Sequence, residues 1–446
     1  MNNMDSLGPS PQQCINWFRN SAPYINAHRG KTFVLMFGGE AVQHSSFYHT
    51  VHDVALLHAL GIRLILVYGA RPQIDAKLEL QGVRTSMLGG IRLTQRQALG
   101  PVLDAVGSVR LMIEAQLSMG LANSPMYGAR IDVVSGNFLT ARPYGVRNGV
   151  DFGLTGEVRS VDSAALRHQL DHHHIALLGP IGYSPSGEVF NLVAEDVAVH
   201  VAEAVQADKL IFLTTSKGIE ADQHILREMI PNEVDQYLRD KPLDSELLRY
   251  LDAARRACRS GVRRIHLVSY LEDGALLQEL FTRDGSGTLI TQDPYEEIRQ
   301  ASIEDIGGLL ELLRPLEEEG ILVRRSREKL EQEIAHFAVI ERDGMIVGCG
   351  ALYPLPDEDG SCTSAEIAGL AVHPSYRRSQ RGSELLEFLE KKATSRSISQ
   401  LFVLTTRTAH WFLEHGFETV AVEQLPKSRV ALYNFQRNSL VFCKKI

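Results

Sequence analysis

The sequence predicts an α/β protein of two domains: a three-layer domain around a mostly parallel sheet, then a smaller α+β domain. Three observations carry this. A chain of 446 residues is long for one core. From Lys31 to about Ile290, short apolar runs alternate with helix-like patterns, as in a parallel sheet covered on both faces. Beyond Ile290 the strands come in pairs joined by tight turns with helices inserted, the grammar of an antiparallel-rich domain of about 150 residues.

A helix is expected over 12–28, with Trp17 and Phe18 as apolar anchors. Strands follow at TFVLMF (32–37), RLILVYG (63–69), IALLGP (175–180), KLIFLTT (209–215) and RRIHLVS (263–269), each an apolar run of buried-strand length. Helix-like segments such as 47–60, 192–206 and 246–260 separate them. Residues 1–290 are read as the first domain, 291–298 as a linker and 299–446 as the second. There a helix (303–319) precedes strands HFAVIE (336–341) and MIVGCGAL (345–352), joined by an RDG turn. EIAGLAV (366–372) follows, then a basic loop, a helix at 383–393, LFVLTT (401–406), a short helix at 408–415 and a last strand, 439–444.

Composition narrows the function classes. Hydrophobic residues make up 44% and charged residues 22%, with a net charge of −8, so no basic field invites nucleic acid or a membrane surface. Five scattered cysteines argue for a reducing compartment and against a disulfide framework or zinc site. The polar start, and apolar runs all short of the roughly 18 residues of a span, give the expectation of a cytoplasmic, soluble protein. DHHHI (171–175) has no carboxylate or cysteine cluster beside it and reads as a solvated segment; no metal is expected.

EIAGLAVHPSYRRSQRGSELLEFLEKKA (366–393) is the most informative stretch. A strand ends in a loop with three arginines and Gly382, and the loop opens a helix. Such a helix N-terminus suits a pyrophosphate. The order strand, HPxYR, glycine, helix, further strand resembles the acetyl-CoA loop of the GNAT acyltransferases over roughly 300–446. The resemblance implies acetyl-CoA as co-substrate. Leu370, Ala371 and Val372 would meet its pantetheine arm through their backbone, and Arg377, Arg378, Ser379, Gln380, Arg381 and Gly382 its pyrophosphate. Gln380 stands where the family usually has its first glycine. Amide formation needs a base, an oxyanion donor and a proton for the thiolate. Glu366, the Leu370 N–H and Tyr433 are the candidates in that order.

Arginines in GILVRRSREKLE (320–331), LTTRTAHWFLEHGF (404–417) and LPKSRVALYNFQRNS (425–439) would suit a dicarboxylate acceptor. The wording of these segments resembles the bacterial N-acetylglutamate synthases. On that resemblance Arg325, Arg429 and Arg437, helped by Thr405, hold the carboxylates of L-glutamate, which is acetylated for arginine synthesis.

LILVYGARPQID (64–75) has the strand–glycine–helix layout of a phosphate turn, yet carries Ala70 and Arg71 where small residues belong. Residues 20–290 resemble the amino-acid kinase family, specifically the acetylglutamate kinases. Met36 replaces the strand lysine of the active kinases, YGARP replaces their glycine-rich turn, and SELLRYLDAA (245–254) lacks their second lysine. Kinase activity is therefore expected to be lost, while Arg92 and Asp196 keep substrate-site and catalytic positions. Arginine-inhibited kinases of the family resemble this chain in the helix over 12–34 and in LLQELFTRDGSGT (276–288). By that resemblance Tyr24, His266, Glu279 and Gly285 line an L-arginine effector site, and the first helix interlaces subunits into a hexamer. A bifunctional synthase–kinase and a non-catalytic arginine sensor are the alternatives.

Overall fold

The structure is a computed structural model. It describes residues 11–120, 124, 126–221, 224–239, 241, 245–282, 284–292, 296–342, 345–356, 362–376, 380–431, 433 and 439–446. The chain divides into two compact units, Met1–Asp293 and Pro294–Ile446.

The N-terminal unit opens with helix α1 (Pro11–His28). Its main sheet contains β1 (Thr32–Phe37), β2 (Arg63–Tyr68), β3 (Val133–Val134), β4 (Ile175–Leu178), β5 (Lys209–Thr214), β6 (Glu228–Met229), β7 (Arg264–Ser269) and β8 (Thr288–Thr291). Their order is β6-β8-β7-β5-β1-β2-β4-β3, parallel throughout except between β7 and β8. Alternate residues of β1 feed opposite cores, as the two-residue period of a strand requires. Val34 and Met36 pack with Val197, Val201 and Leu251, while Phe33, Leu35 and Phe37 pack with Val51, Leu57 and Val109. This is the expected three-layer arrangement.

A second, four-stranded sheet of Leu139–Pro143, Gly156–Val161, Ile181–Tyr183 and Val189–Asn191 was not foreseen. Its strands are short and mix polar with apolar residues, so no periodic signal announces them.

The C-terminal unit is a sheet of β9 (Glu296–Gln300), β10 (Phe337–Arg342), β11 (Met345–Leu355), β12 (Ser364–Val372), β13 (Gln400–Thr405), β14 (Glu418–Val420) and β15 (Leu440–Lys445). Their order is β9-β10-β11-β12-β13-β15-β14. β9 corrects the linker assignment, because it begins at Glu296, inside 291–298. As an edge strand it needs little apolar surface: Ile298 reaches the core, while Arg299 pairs with Asp305 and Glu341.

Two features of β12 matter for the site. It pairs antiparallel with β11 but parallel with β13, and the parallel ladder stops at Ile367↔Val403 although both strands continue. It also carries a bulge. Ala368 faces Ala351 and Ala371 faces Cys349, so Gly369 and Leu370 together stand opposite Gly350. Gly369 has φ +62°, the left-handed conformation that glycine adopts without strain. The extra residue switches the face of the residues after it: Leu370 and Val372 join the core under helix α8 (Arg381–Ser395), whereas Ala371 joins the opposite core.

Candidate active and effector sites

The widening gap between β12 and β13 leads to the N-terminus of α8. Leu385, Leu386 and Leu389 anchor that helix on Ile340, Leu352 and Ile367, which fixes where its first N–H groups point. A Cβ on Gly382 would lie 3.4 Å from the Trp411 ring, so glycine keeps the entrance to the helix low. Ser383 Oγ meets His415 Nε2 at 2.8 Å, and Trp411 stacks on that imidazole at 4.1 Å. Gln380 is the exposed N-cap and makes no side-chain cap hydrogen bond. Arg381 points elsewhere than the pyrophosphate reading requires. Its guanidinium forks onto Glu296, with Nη2 2.7 Å from Oε2, and fastens α8 to β9. Arg377, Arg378 and Ser379 lie outside the described residues, as does Arg437.

Glu366 sits on β12 opposite Tyr353 of β11, just before the gap opens. Its carboxylate is held by Arg429, on the short helix Lys427–Val430: Nε donates to Oε2, and Nη2 to Oε1 at 3.2 Å. Only 12% and 19% of these two side chains are exposed, so water screens the pair weakly. The sequence names one as base and the other as substrate ligand; the structure joins them to each other.

Arg325 arrives on the same face. Its guanidinium nitrogens would lie 3.8 Å from a Cβ on Gly369, and its Cζ is 5.9 Å from the Phe337 ring centre. Its backbone N–H donates to Glu317 Oε1 at 3.1 Å, and its Nη1 lies 3.4 Å from the Val323 carbonyl. Tyr353 stands beside it and donates to Glu333 Oε2 at 2.7 Å. Burial and that carboxylate raise the phenol above its ordinary value, against the opposing pull of Arg325. Cys349 Sγ donates to the Gly369 carbonyl at 3.4 Å, and burial pushes this thiol up to about 12, so it stays neutral. Sequence reasoning missed Tyr353, Glu333 and Cys349; a buried tyrosine with a polar tip is the signal that was available.

Thr405 Oγ1 accepts from the Arg407 and Thr408 N–H groups at 3.3 and 3.2 Å and shapes the turn after β13. Tyr433 is a correction. Its ring packs with Leu355, Phe402 and Val441, and its hydroxyl donates to the Ser439 carbonyl at 2.6 Å, so its proton is already engaged.

In the N-terminal unit ion pairs line the cleft at the expected phosphate turn. Glu195, 5% exposed, accepts from Arg71 Nη2 at 3.4 Å and Arg249 Nε at 3.0 Å. Arg92 holds Asp75 at 2.5 Å and Thr85 at 2.7 Å, and Asp196 is bound by Arg256 at 2.7 Å. Met36 is buried in the floor.

Three of the four effector positions converge. His266 on β7 meets Glu279, on helix Ala275–Phe281, at 2.6 Å, each side chain 6% exposed. The other carboxylate oxygen accepts from the Ser286 and Gly287 N–H groups at 2.6 and 2.8 Å. Gly285 has φ +61°, and a Cβ there would collide with the Glu279 carboxylate. Lys209 Nζ, 3.2 Å from His266 Nε2, completes a buried row that the sequence reading missed; a lysine opening an apolar strand was its signal. Burial, with Lys209 adding, lowers His266, so the ring is neutral and donates through Nδ1. Burial opposes ionisation of Glu279, but His266 and the two N–H groups outweigh it and hold the carboxylate below its ordinary value. Tyr24, on α1, is partly buried against the neighbouring core, and His28 Nε2 lies 2.8 Å from the Leu280 carbonyl.

Residues 31–269 match the amino acid kinase family, and residues 333–419 match the acetyltransferase (GNAT) domain. The amino-acid acetyltransferase of Azotobacter vinelandii is 54% identical over 435 residues, covering 97% of this chain and 99% of its own. The chain belongs to the amino-acid acetyltransferase family. Members from Pseudomonas aeruginosa are 53% identical at the same coverage. N-acetylglutamate synthase from Neisseria gonorrhoeae, complexed with coenzyme A and L-arginine, superposes with a TM-score of 0.87 at 38% identity, covering 97% of this chain and 99% of that one. Its complex with coenzyme A and N-acetyl-glutamate gives 0.61 at the same identity and coverage. The amino-acid acetyltransferase assignment makes this an acetyl-CoA-dependent acyltransferase of mixed α/β fold.

Proposed function

We propose that the chain transfers the acetyl group of acetyl-CoA to the α-amine of L-glutamate, giving N-acetyl-L-glutamate and CoA in the first step of arginine biosynthesis. L-Arginine regulates it through the His266–Glu279–Gly285 cluster and Tyr24. One observation carries the reading: β12 loses its β13 partner after Ile367, with Glu366 at the mouth of the gap and the Gly369–Leu370 bulge inside it.

The pantetheine amides add to the backbone of β12 at Leu370 and Val372, in the manner of an added strand. The pyrophosphate lies at the N-terminus of α8 near Gly382, with 377–380 around it. Arg325, Arg429, Arg437 and the Thr405 turn receive the glutamate carboxylates. When a substrate carboxylate takes the Arg429 fork, Glu366 is released and accepts the ammonium proton, directly or through a water. The amine nitrogen then bonds to the thioester carbon, and the Leu370 N–H donates to the oxygen as it becomes negative. The C–S bond breaks, and the thiolate takes up a proton as CoA leaves. Phosphoryl transfer has no place here, since Met36 offers no charge and Arg71 is committed to Glu195.

No helix among the described residues is long and apolar enough to cross a membrane. The cytoplasm is the proposed compartment. A homo-oligomer, as a hexamer, is proposed from the exposure of Ile15, Trp17 and Phe18 on α1 (46, 51 and 64%).

The test is the initial rate of CoA release from acetyl-CoA and L-glutamate, with and without L-arginine. Glutamate-dependent release that responds to arginine is the expected result. Release that ignores arginine removes the effector assignment, and none at all removes the synthase reading.

A further inference from the structure

We infer that Tyr353, backed by Glu333, is a positioning residue for the acceptor: it aims the Arg325 guanidinium at a carboxylate of L-glutamate. The inference rests on the acetyl-transfer reading above and adds to it the group that fixes where Arg325 points.

Tyr353 stands opposite Glu366 on neighbouring antiparallel strands. Directly opposed residues project from the same face with Cβ atoms about 5 Å apart, so the phenol leaves the sheet beside the proposed base. Two rings hold it. Phe337, fully buried, meets it edge-on at 85° with ring centres 6.4 Å apart, and His336 lies 5.0 Å away at 35°. The Arg325 Cζ lies over the same Phe337 ring, 5.9 Å from its centre.

A phenol has one proton and two lone pairs. Here the proton goes to Glu333 Oε2 at 2.7 Å. Burial and that carboxylate raise Tyr353 above its ordinary value, so the proton stays on the oxygen at neutral pH. Only lone pairs are left to face Arg325, whose guanidinium acts on the phenol as a hydrogen-bond donor and as a positive charge. Glu333 thus sets the direction of a chain in which Arg325 donates to Tyr353 and Tyr353 to Glu333. A guanidinium carries five N–H donors in a rigid fork. The phenol and the Val323 carbonyl, 3.4 Å from Nη1, are two single acceptors, fewer than that fork can serve. Gly369 has no side chain on the β12 side, where a Cβ would come within 3.8 Å of both Nη atoms. An arginine has much rotamer freedom to lose, and fixing it before the substrate arrives spares that loss on binding.

The experiment is steady-state kinetics of CoA release by the full chain, with L-glutamate and acetyl-CoA varied separately. Tyr353→Phe keeps the ring and removes only the oxygen. Its KM for L-glutamate should rise about tenfold, while kcat and the KM for acetyl-CoA stay within about twofold. In an Arg325→Ala background the same change should alter kcat/KM for glutamate by less than about twofold, because the group it aims is gone. A purely structural loss would appear in both backgrounds. Glu333→Ala, at a partly exposed helix end, should raise the glutamate KM in the same direction. An unchanged glutamate KM in either single variant, a fall confined to kcat, an equal rise in the acetyl-CoA KM, or full additivity with Arg325→Ala would each overturn the assignment and leave the synthase reading standing. A wild-type chain without glutamate-dependent CoA release would overturn that reading and this inference together.

Discussion

β1 ends at the Gly38–Gly39 turn and β12 ends in the loop to α8, and each places glycine beside a helix N-terminus. In the N-terminal unit the turn is closed from within. Gln73 donates to the Gly39 carbonyl at 2.7 Å, and Arg71 swings onto Glu195. Met36 contributes an apolar floor. In the C-terminal unit the bulge and the ladder's end leave the strand edge available, with Arg325 and the Arg429–Glu366 pair beside it. Whether such a turn can serve a phosphate thus depends on what its neighbours do with its donors. The glycines alone do not decide it.

Glu366→Gln sharpens the contrast most. Turnover should fall about 10²–10⁴-fold, the usual contribution of a general base, while CoA binding persists. A variant with near-normal turnover would remove Glu366 from the chemistry. Arg429→Lys keeps the charge but breaks the fork, and should raise the KM for glutamate about tenfold or more. An unchanged KM would leave Arg429 as a clamp on Glu366 only.

A smaller effect is expected in the effector cluster. His266 is lowered from 6.5 and Glu279 from 4.5 in the folded chain. Below about pH 6.5 the unfolded chain therefore takes up a proton that the folded one refuses, and below about 4.5 a second. Stability is fully present above that range and declines as pH falls. Denaturation midpoints should show this slope, shallower in His266→Gln. The smallest expected change is none: Met36→Lys combined with Arg71→Gly should leave ATP-dependent phosphorylation of N-acetylglutamate at background, because the second lysine is still missing. Appearance of phosphorylation would mean the cleft is silenced by those two residues alone.

Much of this was legible in the residues. The β1, β2, β4, β5 and β7 strands fall where the apolar runs lie, because burial on both faces leaves an unbroken signal. Glu366, Arg429, His266 and Glu279 could be named singly. Their pairing could not, since it joins positions 63 residues apart in one case and 13 in the other. The bulge was hidden too: EIAGLAV alternates smoothly, and only Gly369 hinted at a break. Arg381 misled for a different reason, because its partner Glu296 lies in a strand with one apolar residue.

The bulge also makes β12 a phase-setter for the whole segment beyond it. Glu366 and Leu370 are four residues apart, which in a regular strand would place both side chains on one side; here they lie on opposite sides. A regular strand of the same length would turn Ala371 toward α8 and Val372 away from it. Because the bulge takes up one extra position, Leu370 and Val372 keep the face of Ile367 and stay on the core under the helix. The same chain thus changes the side on which Leu370 stands relative to Glu366 while holding the rest of the strand in phase with its core.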